Sequence, residues 1–258
     1  MSKHNGKFSK LRLVLKKGIK VILPRKETAM KTVIQLTVVV ILMMLLVVAA
    51  GCSASGGTGG TCKERPLFSA DFEDGKLDAW QATDPAAWRI EDGRGGKVLA
   101  LSGKSDYEPE VRSPYNINLV RDVVVQSFVL EVKMLSTTED YDHRDLCLIF
   151  GHQDPSHFYY VHIANKSDAH ANSIFIVDGK PRVSIAKTRT GGTKWDNEWH
   201  TVRLVRDVSK GTIEVFFDYK PEPIMTAVDR RLVWGRIGVG SFDDTGQFDD
   251  IRLWGRNK

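Results

Sequence analysis

The chain has 258 residues and a formal net charge of +5, from 37 Lys or Arg and 32 Asp or Glu. Residues 1–51 hold ten of the basic residues and one of the acidic residues, so residues 52–258 carry 27 basic and 31 acidic residues. Since no excess of positive charge remains in the larger part of the chain, we expect no nucleic-acid partner.

The longest apolar run in the chain ends at a cysteine. Met30 opens MKTVIQLTVVVILMMLLVVAAGC, in which a basic residue, Lys31, precedes an apolar block and two small residues stand directly before Cys52. This order is typical of a secretory signal. Its end resembles the lipobox of bacterial lipoproteins, which implies a signal peptide over residues 30–51, cleavage before Cys52 and lipidation of the Cys52 thiol.

Residues 1–29 fit this signal poorly, because they are long and basic where a signal needs only a few charged residues. We interpret them as an over-extended N-terminus, with translation starting at Met30. The alternative is an uncleaved membrane helix, since residues 33–50 just reach the ~18 residues of a span. The favoured interpretation is an extracytoplasmic protein of the bacterial cell envelope, held at the membrane by its lipid anchor.

A Gly/Ser/Thr tract, SASGGTGGT, follows Cys52, and we interpret residues 52–65 as a flexible tether. Residues 66–258 then have a suitable length for one all-β domain. With Cys52 acylated, Cys62 and Cys147 remain, and an extracytoplasmic compartment would permit a disulfide between them. The alternative is two unpaired thiols, with Cys147 buried in an apolar strand.

Short β-type runs separated by turn residues make up this domain. In chain order the runs are LFSADF, AWRIED, KVLALSG, DVVVQSFVLEVKML, DLCLIFG, HFYYVHIA, SIFIVD, RVSIAK, HTVRLVRD, TIEVFFD, RIGVGSF and DDIRLWG. Turns such as DG, GG, DPS and SKG stand between them. The spacing and the lack of helical periodicity predict a two-sheet antiparallel jelly-roll sandwich with one face free to form a groove.

The order of these motifs resembles a known superfamily. DFEDG, FGHQDPSHFYYVHI, KWDNEWHTVRLVRD, GTIEVFFD, GRIGVGSFDD and FDDIRLWG, spread over residues 67–255, are similar to the concanavalin A-like lectins and glucanases. The laminin-G-like and 3-keto-disaccharide-hydrolase-like domains are the nearest branches. The resemblance implies a curved sandwich whose concave face often holds an oligo- or polysaccharide.

The catalytic motif of the best-known hydrolases of this superfamily, E-x-D-x-x-E, is absent. Two acidic clusters exist, EDYDHRD at residues 139–145 and the pair Asp243 and Asp244, and we interpret them as a solvated loop and a turn. The leading hypothesis is therefore a carbohydrate-binding module. A glycoside hydrolase or lyase on the same fold, and a non-catalytic module that contacts other envelope proteins, are the alternatives.

Candidate sugar-binding residues lie on the strand HFYYVHI. If Tyr159, Val161 and Ile163 face the core, then Phe158, Tyr160 and His162 share the other face; the opposite assignment is the alternative. Trp195, in the Gly-rich segment TGGTKWDNE, is the tryptophan that we expect to be exposed. The predicted sugar site combines side chains for stacking and for hydrogen bonding: Tyr160, His162, Trp195 and Arg144.

A structural Ca²⁺ is the predicted cofactor. In the superfamily an acidic residue before the last strand ligates calcium, and the resemblance places that role on Asp249. Asp71 or Glu73, with a backbone oxygen near Asp92 or Gly93, would supply further hard oxygen ligands. The alternative is that these are turn aspartates that cap hairpins.

Overall fold

The computed structural model describes residues 65–93 and 95–258. The predicted signal peptide, the lipidation at Cys52, the tether up to residue 64 and Cys62 lie outside the described residues and stay predictions. Within the described ranges, no helix has the length and apolarity required to cross a bilayer.

The described residues form fifteen strands and one short 3-10 turn at Pro85–Ala87. The strands are β1 (Phe68–Ala70), β2 (Trp80–Ala82), β3 (Trp88–Gly93), β4 (Gly96–Leu101), β5 (Asn116–Ser136), β6 (Asp145–Asp154), β7 (His157–Ala164), β8 (Ser173–Asp178), β9 (Val183–Ser184), β10 (Ala186–Arg189), β11 (His200–Asp207), β12 (Thr212–Phe217), β13 (Met225–Val228), β14 (Gly235–Ser241) and β15 (Gly246–Asn257).

The long strand β5 joins the two sheets of the sandwich into one continuous, fifteen-stranded sheet. Its first part pairs with β14, and the order continues through β6, β7 and β8 to β9. Its second part pairs with β11 on one side and β15 on the other, and these lead to β12, β13 and β10 and to β4 and β3. The pairs are antiparallel. The predicted all-β sandwich is therefore confirmed.

The main core lies between the two sheets. In β11 and β12, buried and partly exposed residues alternate, so one face of each strand packs inward while the other meets solvent. Large side chains without measurable exposure, such as Leu130, Val202 and Phe248, belong to this core. Each contributes about 1.5–3 kcal/mol of transfer free energy.

A second apolar cluster covers the outer face of β6, β7 and β8. Its members are Ile117, Leu119, Cys147, Ile149, Phe158, Tyr160, Phe175 and Val177, with Val111 packed against them. Because both faces of these strands are buried, β6 and β7 have no polar–apolar alternation. The groove-forming face expected from the sequence is thus covered over most of its area.

Cys147 is a free thiol and belongs to this second cluster. It has no measurable exposure, and its sulfur donates to the carboxylate of Asp145 over 3.2 Å. Burial raises the pKa of the Cys147 thiol well above its usual range. Cys147 is thus buried and unpaired, as the second of the two sequence-based interpretations had it. Cys62 lies outside the described residues.

Candidate functional site

The two faces of β7 pack as the sequence predicts, but the exposure expected for Tyr160 is wrong. Tyr159, Val161 and Ile163 belong to the main core, and Phe158 and Tyr160 to the second cluster. Tyr160 is 0% exposed, its ring stacks on Phe175 at 5.1 Å, and its hydroxyl accepts a hydrogen bond from Arg182. No face of this ring is available for a sugar.

Trp195 is also buried, at 2% exposure, so the expectation of an exposed ring is wrong. Its indole N–H donates to the Ile163 carbonyl over 3.1 Å, and its backbone N–H donates to Asn165 Oδ1 over 2.8 Å. The close approach of Gly192 makes this possible, because a Cβ on Gly192 would lie 1.9 Å from the Asn165 carbonyl oxygen. The Gly-rich segment folds back onto the sheet and carries Trp195 inward.

Arg144 is 1% exposed and forms hydrogen bonds with the same segment, so it is not a sugar-contacting donor. Its guanidinium donates to the Ser136 carbonyl over 2.8 Å, to Asn197 Oδ1 over 2.6 Å and to the Trp195 carbonyl over 3.3 Å. A buried arginine needs such partners, because an unpaired buried charge is costly. These bonds use the Arg144 donors within the protein.

His162, another predicted sugar-site residue, lines an opening. Although it is only 3% exposed, it forms part of the wall of a pocket of about 190 Å³. Burial, followed by the charge of Arg182, lowers the pKa of His162 to about 3, so the ring is neutral at physiological pH. This cavity, here called the Phe242 pocket, is lined by Arg112, Tyr141, His143, His162, His170, Arg182, Phe242 and Asp243.

Phe242, directly after β14, is the aromatic centre of the pocket. The Arg182 guanidinium carbon lies 4.2 Å from the Phe242 ring centroid, and that of Arg112 lies 5.4 Å from it. Tyr115 packs edge-on against the ring at 5.0 Å, and His162 packs at 6.2 Å. Two cationic side chains are thus gathered on one aromatic ring.

The acidic cluster behind Phe242 fixes the shape of the pocket. Asp145 accepts hydrogen bonds from the Phe242 backbone N–H at 3.0 Å and the Ser241 hydroxyl at 3.2 Å. Asp244 accepts from the Asp145 backbone N–H at 2.7 Å. Burial raises the pKa of both Asp145 and Asp244. The interpretation as a solvated loop and turn is wrong for these two residues, since both are buried, and holds for the exposed Asp243.

Carboxylate oxygens of Asp145, Asp243 and Asp244 lie within 4.8 Å of one another. The buried pair, however, is already satisfied by donors of the protein. We therefore interpret the cluster as the support of the pocket wall.

Tyr141 is the exposed aromatic side chain at the pocket, with 43% of its surface accessible. Its hydroxyl donates to Asp244 Oδ2 over 2.9 Å, which holds the ring in place. Burial of the hydroxyl and this bond raise the pKa of Tyr141 well above its usual range. Sequence reasoning missed Tyr141, although an aromatic residue inside the charged segment EDYDHRD was a signal for it.

Tyr141 also borders a second, more open depression of about 540 Å³. Its lining residues are Asp140, Tyr141, Asp142, Asn165, Gly191, Gly192 and Lys194. The ring of Tyr141 therefore stands between two adjoining concavities. An extended ligand could occupy both.

The predicted calcium ligands differ in their surroundings. Asp249 Oδ1 in β15 is buried and has no hydrogen-bond partner, and burial raises the pKa of Asp249. The negative charge of Glu73 also acts on Asp249. Such an orphaned carboxylate oxygen fits a hard cation.

Asp71 and Glu73 complete this group only in part. Their side chains do not form a group of three with Asp249 within 4.8 Å in the part of the chain that the structure describes. Glu73 Oε1 instead accepts from the Lys97 backbone N–H at 3.0 Å. A calcium ion held by Asp249 and Glu73 would take its remaining ligands from backbone oxygens and water.

Comparison with known proteins gives the fold. No family model matches the chain, and no curated protein matches it. A Bacillus subtilis protein of unknown function with a galectin-like fold superposes with a TM-score of 0.50 and 11% identity over 75% of this chain and 97% of its own. The GH43 protein BlXynB from Bacillus licheniformis gives a TM-score of 0.50 and 12% identity, covering 78% of this chain and 41% of its own.

A third solved structure, the carbohydrate-binding module CBM66 from Bacillus subtilis, gives a TM-score of 0.47 and 16% identity over 69% of this chain and 97% of its own. For the two structures with a TM-score of 0.50, the likeness shows the fold alone, an antiparallel β-sandwich. Function has to be argued from the site.

Proposed function

We propose that this domain binds carbohydrate and that the Phe242 pocket, with the adjoining depression, is its sugar site. The observation that carries the proposal is the ring of Tyr141, which is exposed yet held by Asp244 at the edge of the pocket. A fixed aromatic ring beside hydrogen-bonding groups suits a sugar, because the ring stacks on C–H groups while the polar groups orient the hydroxyls.

The remaining walls supply donors and acceptors for hydroxyl groups. Arg112, His143 and Asp243 line the same pocket as Tyr141. A neutral hydrogen bond adds only about 0.5–1.5 kcal/mol net. We therefore expect weak binding to one sugar residue, strengthened when a chain continues into the second depression.

Binding is favoured over hydrolysis by the carboxylate content of the pocket. Among the described residues that line the Phe242 pocket, Asp243 alone carries a carboxylate. The adjoining depression adds Asp140 and Asp142, whose carboxylates accept hydrogen bonds from the side chains of Asn165 and Lys166. A retaining glycosidase needs two carboxyl groups about 5 Å apart, and an inverting one needs them about 6.5–9.5 Å apart. Asp145 and Asp244 are close but buried, and their oxygens accept hydrogen bonds from the protein.

The proposal includes attachment to the membrane by a lipid on Cys52, which rests on the sequence of residues 30–52. Many copies on one surface would raise avidity for a polymeric glycan. It also includes a structural Ca²⁺ at Asp249, because the unpartnered buried oxygen there is the kind of atom that a cation satisfies.

A glycan array probed with the detergent-extracted full chain tests the sugar site. We expect Tyr141→Ala to lose most of the signal on every bound glycan while the domain stays folded. Tyr219→Ala is the matched control, because Tyr219 is 72% exposed and does not line the pocket. Equal binding by the Tyr141 variant and the wild type would refute the site, and a wild-type chain that binds nothing would refute the function.

A further inference from the structure

We infer that the Phe242 pocket selects an acidic sugar, with the carboxylate of a terminal uronic acid placed between Arg112 and Arg182. This inference rests on the proposed function and names the class of glycan. It is carried by three features of the pocket: two cations without a carboxylate partner, the aromatic ring that orients them, and the small volume.

The first feature is that neither Arg112 nor Arg182 has a carboxylate partner in the part of the chain that the structure describes. No salt bridge within 4.0 Å joins Arg112 or Arg182 to a carboxylate among the described residues. Some other arginines of the domain do have such partners, for example Arg231 with Asp178 at 3.4 Å and Arg252 with Asp250 at 3.2 Å. Two adjacent guanidinium groups without an acidic partner favour an anionic ligand.

The second feature is the orientation of the guanidinium groups. Arg182 stacks on Phe242 at 4.2 Å and on Phe175 at 4.9 Å, while one of its nitrogens donates to the Tyr160 hydroxyl over 2.8 Å. Its backbone N–H donates to the Arg112 carbonyl over 3.0 Å, which ties the two residues together. Arginines held by ring faces keep their N–H edges for planar, bidentate recognition of a carboxylate.

Two of the predicted residues gain a role here. The buried Tyr160 does not contact the ligand but positions Arg182 through its hydroxyl. The neutral His162 adds no charge and leaves the arginines as the cations that face the ligand on this wall. Residues of the second cluster therefore position Arg182 in the pocket.

The third feature is size. A volume of about 190 Å³ is below the ~300–1,000 Å³ of sites that enclose a drug-sized ligand, so one sugar residue fits rather than a chain. Asp243 also lines the pocket and would repel a second negative charge. This geometry favours a single terminal acidic residue, with its hydroxyls toward Asp243 and its carboxylate toward the arginines.

Paired ligands test the inference by calorimetry on the detergent-extracted full chain. The probes are glucuronate- and galacturonate-terminated trisaccharides and their methyl esters, which keep the ring and remove the charge. Sulfate-terminated trisaccharides form a further arm. We expect at least one uronate to bind about tenfold or more tightly than its ester, since a charged hydrogen-bonded pair is stronger than a neutral one.

Variants assign the effect to the two arginines. Arg112→Gln and Arg182→Gln should bring the acid-to-ester ratio close to one, and Arg182→Lys should restore it only in part because lysine lacks the planar fork. Arg203→Gln is the matched control, because Arg203 stacks on Phe216 at 4.4 Å and does not line the pocket. Circular dichroism confirms that each variant is folded.

The outcomes separate the two proposals. Equal binding of acid and ester, or binding of neutral glycans alone, overturns the acidic-sugar inference and leaves the proposed function standing. A preference for sulfate over carboxylate overturns the assignment of the anion as a uronate. If neither these probes nor any neutral glycan binds, the proposed function fails as well.

Discussion

Two loops of this domain each carry one aromatic residue, and they place it in opposite ways. Tyr141 in EDYDHRD keeps 43% of its surface exposed, whereas Trp195 in TGGTKWDNE keeps 2%. The polar atom of each ring decides the difference, since the Trp195 N–H finds the Ile163 carbonyl inside the sheet and the Tyr141 hydroxyl finds Asp244 at the rim. The glycines of TGGTKWDNE therefore indicate a flexible backbone, but they do not indicate that the Trp195 side chain is exposed.

The sharpest test of this comparison removes each ring. Trp195→Ala should lower the free energy of unfolding by about 3–5 kcal/mol, because it empties a buried, fully packed site. Tyr141→Ala should cost about 1 kcal/mol or less, since mainly an exposed ring and one hydrogen bond are lost. Urea denaturation measures both, and equal losses would mean that the two loops do not differ as described.

A second test concerns the glycine that lets the Trp195 loop close. Gly192→Ala should destabilise the domain by about 1–3 kcal/mol, because the new Cβ would meet the Asn165 carbonyl oxygen at 1.9 Å. Gly191→Ala is the control, because a Cβ there has no atom within 4 Å. Similar melting temperatures for the two variants would contradict this account of the loop.

A third test compares the sugar site with the predicted calcium ligand Asp249 in β15. At a free Ca²⁺ concentration a hundredfold above its dissociation constant, the domain should gain about 2.7 kcal/mol. Asp249→Asn should abolish the response of the melting temperature to Ca²⁺ and to EDTA, whereas Asp243→Asn should leave it unchanged. If neither Ca²⁺ nor EDTA changes the melting temperature of the wild type, the proposed calcium site is wrong.

The pH dependence of stability tests the burial of His162. Its pKa is about 3 when folded and 6.5 when free, so between these values the unfolded chain binds more protons than the folded one. Stability should therefore fall as the pH falls through this window, by about 2 kcal/mol from pH 7 to pH 5 for this residue. His162→Asn should remove that share, as urea titrations at both pH values would record; an unchanged slope would place His162 in contact with solvent.

Much of the fold could be predicted because alternation and turns are local signals. The strands around residues 200–217 show this pattern, and the structure has them at β11 and β12. The short strands β2 and β13 could not be predicted, because three or four residues carry little periodicity and are extended by pairing with β5, β10 and β12.

Fewer residues of the candidate site could be predicted from the sequence. In β7 both faces are buried, so the pattern could assign two faces to the strand but could not say that the second is covered. The pocket combines Arg112, Tyr141, Arg182 and Phe242, which come from four distant segments. Only the topology brings them together, whereas His162 was found because it shares a strand face with Tyr160.

A map of where a bound glycan lies would show whether Tyr141 and the Phe242 pocket form the sugar site. Backbone amide chemical shifts of ¹⁵N-labelled protein, titrated with a glycan selected by the array, give that location. We predict that the largest shifts concentrate at Tyr141, Arg182 and Phe242. Shifts that instead cluster at another concavity, the groove beside Trp254 and Lys258, would contradict this assignment.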